Sequence, residues 1–127
     1  MRLPIIAVLD DSSIRVFDSA EEVLGPLEAI DIENEEYTFY DSTGHLLKYE
    51  VVWAKTGRMK RFLWFAPYEE EREIVRFCDY APPLDHSFQM RQSLESWLLL
   101  PAFSVSEEWI RSASTDELIT KIRQLSR

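Results

Sequence analysis

Tyr37-Thr38-Phe39-Tyr40-Asp41-Ser42-Thr43-Gly44-His45-Leu46-Leu47 reads as strand, turn and strand. The four residues before Asp41 are aromatic or β-branched and suit a pleated, half-buried surface. Asp41 opens and Gly44 closes a tetrad of the type I kind, with an acceptor side chain first and glycine last. Apolar residues resume at Leu46 and run to Trp53, so the turn predicts an antiparallel hairpin.

Working towards the N-terminus, two apolar runs, 5–9 and 14–17, flank Asp10-Asp11-Ser12-Ser13, whose side chains bond readily to nearby backbone. A second hairpin is expected there. Ser19 stands three residues before Glu22, the spacing of a capping box, which predicts a short helix of about two turns stopped by Gly25-Pro26. Residues 27–32 interleave Ala29, Ile30 and Ile32 with Glu28 and Asp31 as a strand with one wet face, and Asn34 and Glu35 suit a turn.

In the other direction, Lys55-Thr56-Gly57-Arg58 reads as a turn, residues 61–65 as the returning strand, Glu69-Glu70-Glu71 as a solvated loop and residues 73–78 as a further strand. The pattern changes after Pro82-Pro83. Phe88, Arg91, Leu94, Trp97 and Leu98 follow an amphipathic helical series that Pro101 ends. Ser106 can cap a short helix through Trp109 and Ile110, and Ser114 or Thr115 can cap a last one carrying Leu118, Ile119, Ile122 and Leu125. Strands first and helices last is the α+β layout. The expected architecture is an antiparallel β-meander of five or six strands with a short N-terminal helix and two or three C-terminal helices packed on one face. It forms a single domain over 1–127, strand-rich to residue 80 and helical from 84.

With 127 residues, 46% of them apolar and 13% aromatic, the chain has material for one packed core. No apolar run approaches the ~20 residues of a membrane-spanning helix, and the N-terminal apolar stretch meets Asp10 and Asp11 too early for a secretory signal. No membrane partner and a cytoplasmic location are expected. The single cysteine, Cys78, excludes an intrachain disulfide and the multi-thiolate zinc patterns, and its place in an apolar strand predicts a buried, inert thiol. Residues 1–50 hold twelve Asp and Glu against three Arg and Lys, a balance of −9 that equals the net charge of the whole chain. A contiguous acidic face of this kind repels nucleic acid and attracts basic proteins.

Catalytic chemistry finds little foothold. His45 follows a turn and His86 opens a helix, no serine lies in a G-x-S-x-G elbow, and the three glycines form no phosphate loop. Asp31, Glu33, Glu35 and Glu36 crowd together without the spacing of a calcium loop, so neither metal nor cofactor is expected. Lys55, Arg58, Lys60 and Arg61 lie between Trp53 on one side and Phe62 and Trp64 on the other. This basic segment could bind nucleic acid or an anion, against which the net charge and the lack of a nucleic-acid-binding motif argue, or it could simply complement the acidic half of the molecule. The tryptophans belong to the core by default, and one exposed on the acidic face would mark the centre of an interface.

The stretch from Leu27 to Tyr37, followed by Tyr40 to Leu47, resembles a pattern found in small uncharacterised bacterial proteins, some of whose neighbours in size and charge are immunity proteins of toxin systems. That resemblance implies a protein that neutralises a basic toxin, often a nuclease, through an acidic surface, and it agrees with the charge argument. The leading expectation is therefore a non-catalytic binding protein in which Asp31, Glu33, Glu35, Glu36, Tyr37, Tyr40 and Asp41 form an acidic, aromatic face for a basic protein partner. The alternative is a small-molecule or anion-binding domain with a pocket at Trp53, Arg58, Lys60, Arg61 and Trp64. A third reading is a homodimer packed through the apolar helix 88–100.

Overall fold

A computed structural model describes residues 1–24, 27, 32, 36–62 and 66–126, with the side chains of 54 and 56–72 outside the description. Five strands, β1 (Ile5–Val8), β2 (Ile14–Phe17), β3 (Thr38–Tyr40), β4 (His45–Phe62) and β5 (Ala66–Asp85), precede three helices, α1 (Ser87–Leu98), α2 (Glu107–Ser112) and α3 (Thr115–Leu125). The sheet is antiparallel, in the order β2-β1-β3-β4-β5. The α+β class and the strands-then-helices order are as the sequence predicts. No helix among the described residues is long and apolar enough to cross a membrane.

The β1–β2 hairpin closes on the predicted tetrad. Asp11 Oδ1 accepts from the backbone N–H and the hydroxyl of Ser13, at 3.0 and 2.6 Å, while Ser12 takes a φ of +70°. Short polar side chains tolerate that left-handed backbone because they bond locally. Register then follows from alternation. Ile5 and Ala7 join Phe17 and Phe39 on one face of the sheet, and Ile6 joins Ile14 and Tyr40 on the other.

All three helices cover the second face. Met90, Leu94 and Leu98 of α1, Ile110 of α2 and Leu118, Ile119 and Ile122 of α3 are buried against Ile6, Ile14 and Tyr40. The first face is covered by Val23, Leu27 and Ile32. The buried stripe of α1 differs from the series expected of it, because Phe88 is 68% exposed and Met90 takes the inward position. Arg91, also in that series, uses its guanidinium for polar bonds. Nη2 donates to the carbonyls of Ala113 at 2.7 Å and Ile110 at 3.3 Å, Nη1 to Thr115 Oγ1 at 3.3 Å, and Nε to Glu95 at 2.9 Å. A cation is favoured at the carbonyl end of a helix, which is where α2 ends.

The caps of α2 and α3 are the serines expected from sequence. At α3 the box is complete, with Ser114 Oγ accepting from Glu117 N at 3.1 Å and Glu117 Oε1 accepting from Ser114 N at 3.0 Å. The Ser114 amide holds the Glu117 carboxyl below the usual carboxylate range. Its contribution is therefore present at neutral pH and is lost as the pH falls through that lowered value. Ser114→Ala is expected to cost about 1 kcal/mol in urea denaturation. Ser106→Ala should cost less, since the Ser106 hydroxyl is 3.4 Å from the Trp109 amide. Equal losses would contradict this ranking.

Three local expectations need correction. The N-terminal helix is only a 3-10 turn over Ala20–Glu22, with no capping bond from Ser19, because the Glu22 carboxylate accepts instead from the Asp18 amide at 3.0 Å. The reversal expected at residues 55–58 does not occur. The strand continues to Phe62, and Gly57 falls within a register shift between Lys55 and Met59, the bulge role a glycine can also serve inside a strand. Glu69, Glu70 and Glu71 lie within β5, Glu71 opposite Lys55 and Glu69 opposite Met59, so 66–85 is one strand, one of five among the described residues. The prolines at 82 and 83 lie inside β5, where a second register shift, between Leu46 and Leu47, accommodates residues that cannot donate to a ladder. The expected turn at Asn34 and Glu35, and most of the strand expected over 27–32, lie outside the described residues.

Candidate functional site

β3 and β4 begin together and then separate. Their ladder among the described residues is confined to the pair Tyr40↔Leu46, just beyond the predicted turn. Along its other edge β4 pairs with β5 on both sides of a register shift at Leu46/Leu47, with His45 opposite Asp85 before it and Leu47 opposite Asp79, Tyr49 opposite Phe77 and Val51 opposite Val75 after it. A cleft of about 710 Å³ opens where the two strands diverge, lined by Tyr37, Thr38, Phe39, Lys48, Tyr49 and Tyr80 among others. Phe39 is fully buried beneath it. Its ring meets Tyr49 at 5.2 Å, Phe77 at 4.9 Å and Tyr37 at 6.3 Å between centroids, all in edge-to-face geometry. Lys48 Nζ lies 5.0 Å from the centre of the Tyr80 ring, a cation–π contact.

The side chains of Leu47, Tyr49, Val51 and Trp53 share one face of β4, since successive residues of a strand alternate. The first three belong to the apolar cluster around Phe39. Trp53 is the next on that face and is 66% exposed. An apolar stripe therefore leads out of the core, passes the cleft and ends on an exposed indole.

A separate polar cluster surrounds the β3–β4 turn. Asp41 is 1% exposed. Its Oδ1 accepts from the Thr43 hydroxyl at 2.6 Å, the Thr43 amide at 2.9 Å and the His45 amide at 3.0 Å, and its Oδ2 accepts from the Arg2 amide at 3.2 Å. Burial pushes the Asp41 carboxyl up, but the bonds from Thr43, His45 and Arg2 together outweigh it and hold the group below the usual carboxylate range. His45 Nδ1 lies 3.5 Å from Asp41 Oδ2. Asp79, brought alongside by β5, accepts from the Met1 amino group at 2.6 Å. One donor atom from each of Asp41, His45 and Asp79 lies within 4.8 Å of the other two.

The residues expected to form an acidic face are not all brought together. Asp31, Glu33 and Glu35 lie outside the described residues. Glu36 is exposed and Tyr37 half-buried at the cleft. Tyr40 is buried against the helices on the opposite face of the sheet from Phe39, and Asp41 is consumed by the turn. Neither can serve a docking surface, because alternation turns Tyr40 inward and the turn needs the carboxylate. Of the alternative basic set, Trp53 is the exposed indole, Trp64 lies outside the described residues, and Arg58, Lys60 and Arg61 are described only as backbone of β4. Trp97 and Trp109 are half-buried, so no described tryptophan is a full core residue. Cys78, expected to be buried, is exposed, because Phe77 takes the inward position and its neighbour must point the other way.

Sequence reasoning missed the cleft and the approach of Asp79 to Asp41 and His45. Asp41 and His45 signalled each other across the turn, but nothing local linked them to Asp79. No protein-family model matches the chain, and no curated protein or solved structure matches it either. The reading of the site accordingly rests on its geometry.

Proposed function

We propose that this chain is a non-catalytic binding domain that holds a basic protein partner against the β4 stripe and the cleft beside it. The observation that carries the reading is Trp53, an exposed indole at the end of an apolar stripe whose other members are buried at Leu47 and half-buried at Tyr49 and Val51. Tryptophan is over-represented at the energetic centres of interfaces. Charge supplies the partner's sign, since the net −9 of the chain resides in residues 1–50, and the exposed Glu36 and Glu50 stand beside the aromatic residues of the cleft. A toxin neutralised by its immunity protein is one partner with the required basic character.

Trp53→Ala tests this directly. The tagged chain is expected to retain one basic protein from host lysate at low salt and less of it at high salt. The variant should bind the isolated partner about 30-fold more weakly, the effect of losing a hot-spot residue of ~2 kcal/mol. Its own stability should stay within about 0.5 kcal/mol of the parent, as for an exposed substitution. Unchanged affinity in the variant, or an acidic partner, would overturn the proposal.

The dimensions of the cleft favour one second reading. About 710 Å³ lies within the range of small-molecule sites, and Tyr37, Tyr49, Tyr80 and Lys48 would offer stacking surfaces and one cation. On this reading the ligand site is the cleft and not the segment 55–61. A metabolite that raises the melting temperature of the parent but not of Lys48→Ala would favour it.

A further inference from the structure

We propose that Asp41, His45 and Asp79 bind a divalent transition-metal ion, of which Zn²⁺ is the fitting probe, where the β3–β4 turn meets β5. The donor set is one imidazole nitrogen and two carboxylates, a combination that suits such ions and leaves a fourth position for water. Asp41 Oδ2 and His45 Nδ1 are 3.5 Å apart, close to the ~3.3 Å edge of a tetrahedron built on zinc–ligand bonds of 2.0–2.1 Å. Asp79 completes the triangle, with one ligand atom of each of the three residues within 4.8 Å of the others.

A second, independent observation points to a ligand. Asp79 Oδ1 is shielded from solvent and has no hydrogen-bond partner. A buried carboxylate oxygen left alone in this way is costly, and a coordinated cation satisfies it. The place already favours positive charge, since the Met1 ammonium lies on the other Asp79 oxygen at 2.6 Å. A metal ion would replace that ammonium as the counter-charge.

The surroundings are those of a preoriented site. Asp41 is fixed by four hydrogen bonds, three of them on the oxygen that does not face His45. Thr43 Oγ1 gives its one proton to Asp41, so its 3.2 Å contact with His45 Nδ1 is an N–H donation that a metal on Nδ1 would displace, while the bond to Asp41 would remain. Partners of this kind around ligands set their orientation and affinity. Asp41 and His45 bound the β3–β4 turn and Asp79 lies on β5, so the ion would tie that turn to β5.

The test is calorimetric titration of the full, chelator-treated chain with Zn²⁺ at pH 7.5, beside His45→Ala and Asp79→Asn. One ion per chain is expected, with an accompanying rise in melting temperature. Each variant should bind at least about tenfold more weakly, a lower bound set by what loss of an outer partner alone does. Melting curves without zinc establish that both variants fold. Absence of stoichiometric binding by the parent, or equal affinity in parent and folded variants, would overturn the proposal.

Discussion

Gly44→Ala is expected to lower the stability of this protein by at least about 2 kcal/mol, far more than a one-carbon addition in a surface turn normally does. Gly44 has a φ of +92°, which an L side chain resists by about 1–2 kcal/mol. The space is also taken. A Cβ built there would overlap Ser87 Cα and come within 2.8 Å of its backbone nitrogen. Backbone at the start of α1 cannot swing aside as a flexible side chain could, and overpacking of this kind adds about 1–3 kcal/mol. The same approach is fixed by the His86 amide, which donates to the Gly44 carbonyl at 2.8 Å. Urea denaturation measures the loss, and a change below about 0.5 kcal/mol would mean that turn and helix do not meet as described.

Phe39→Ala is expected to cost about 3–5 kcal/mol. Its ring is fully buried between the aromatic groups of Tyr37, Tyr49 and Phe77, so truncation removes edge-to-face contacts and leaves a void beneath the cleft. Phe88→Ala provides the control, since that side chain is 68% exposed and should cost less than 1 kcal/mol. Comparable losses for the two would place Phe39 outside the core.

The parts of this fold legible in the sequence are those whose physics is local. Asp41 and Gly44 announced a turn because one supplies an acceptor and the other a backbone most residues resist. Ser106 and Ser114 announced helix starts because orphan amides need oxygen acceptors. What stayed hidden depends on distant pairing. Lys55-Thr56-Gly57-Arg58 has the composition of a turn, yet glycine serves a bulge equally well, and only pairing with residues 69–71 decides between them. Misplacing that reversal concealed how much of the strand pattern belonged to one long hairpin. The exposed Cys78 and Trp53 follow from the register of β4 against β5, and the cleft from the point where β3 leaves β4. Likewise, Asp79 reaches Asp41 across 38 positions of sequence, a meeting visible only after the sheet is assembled.

Arg91 gives the helical layer a further property. A six-residue helix such as α2 has little capacity to persist by itself, because the cost of its first turn is spread over too few bonds. The guanidinium on α1 donates to the trailing carbonyls of that helix and to the leading hydroxyl of α3, so detaching any one of the three strands a buried or half-buried polar group on another. The layer therefore opens as one cooperative unit, and fluctuations confined to α2 are suppressed by a single side chain twenty residues away in sequence.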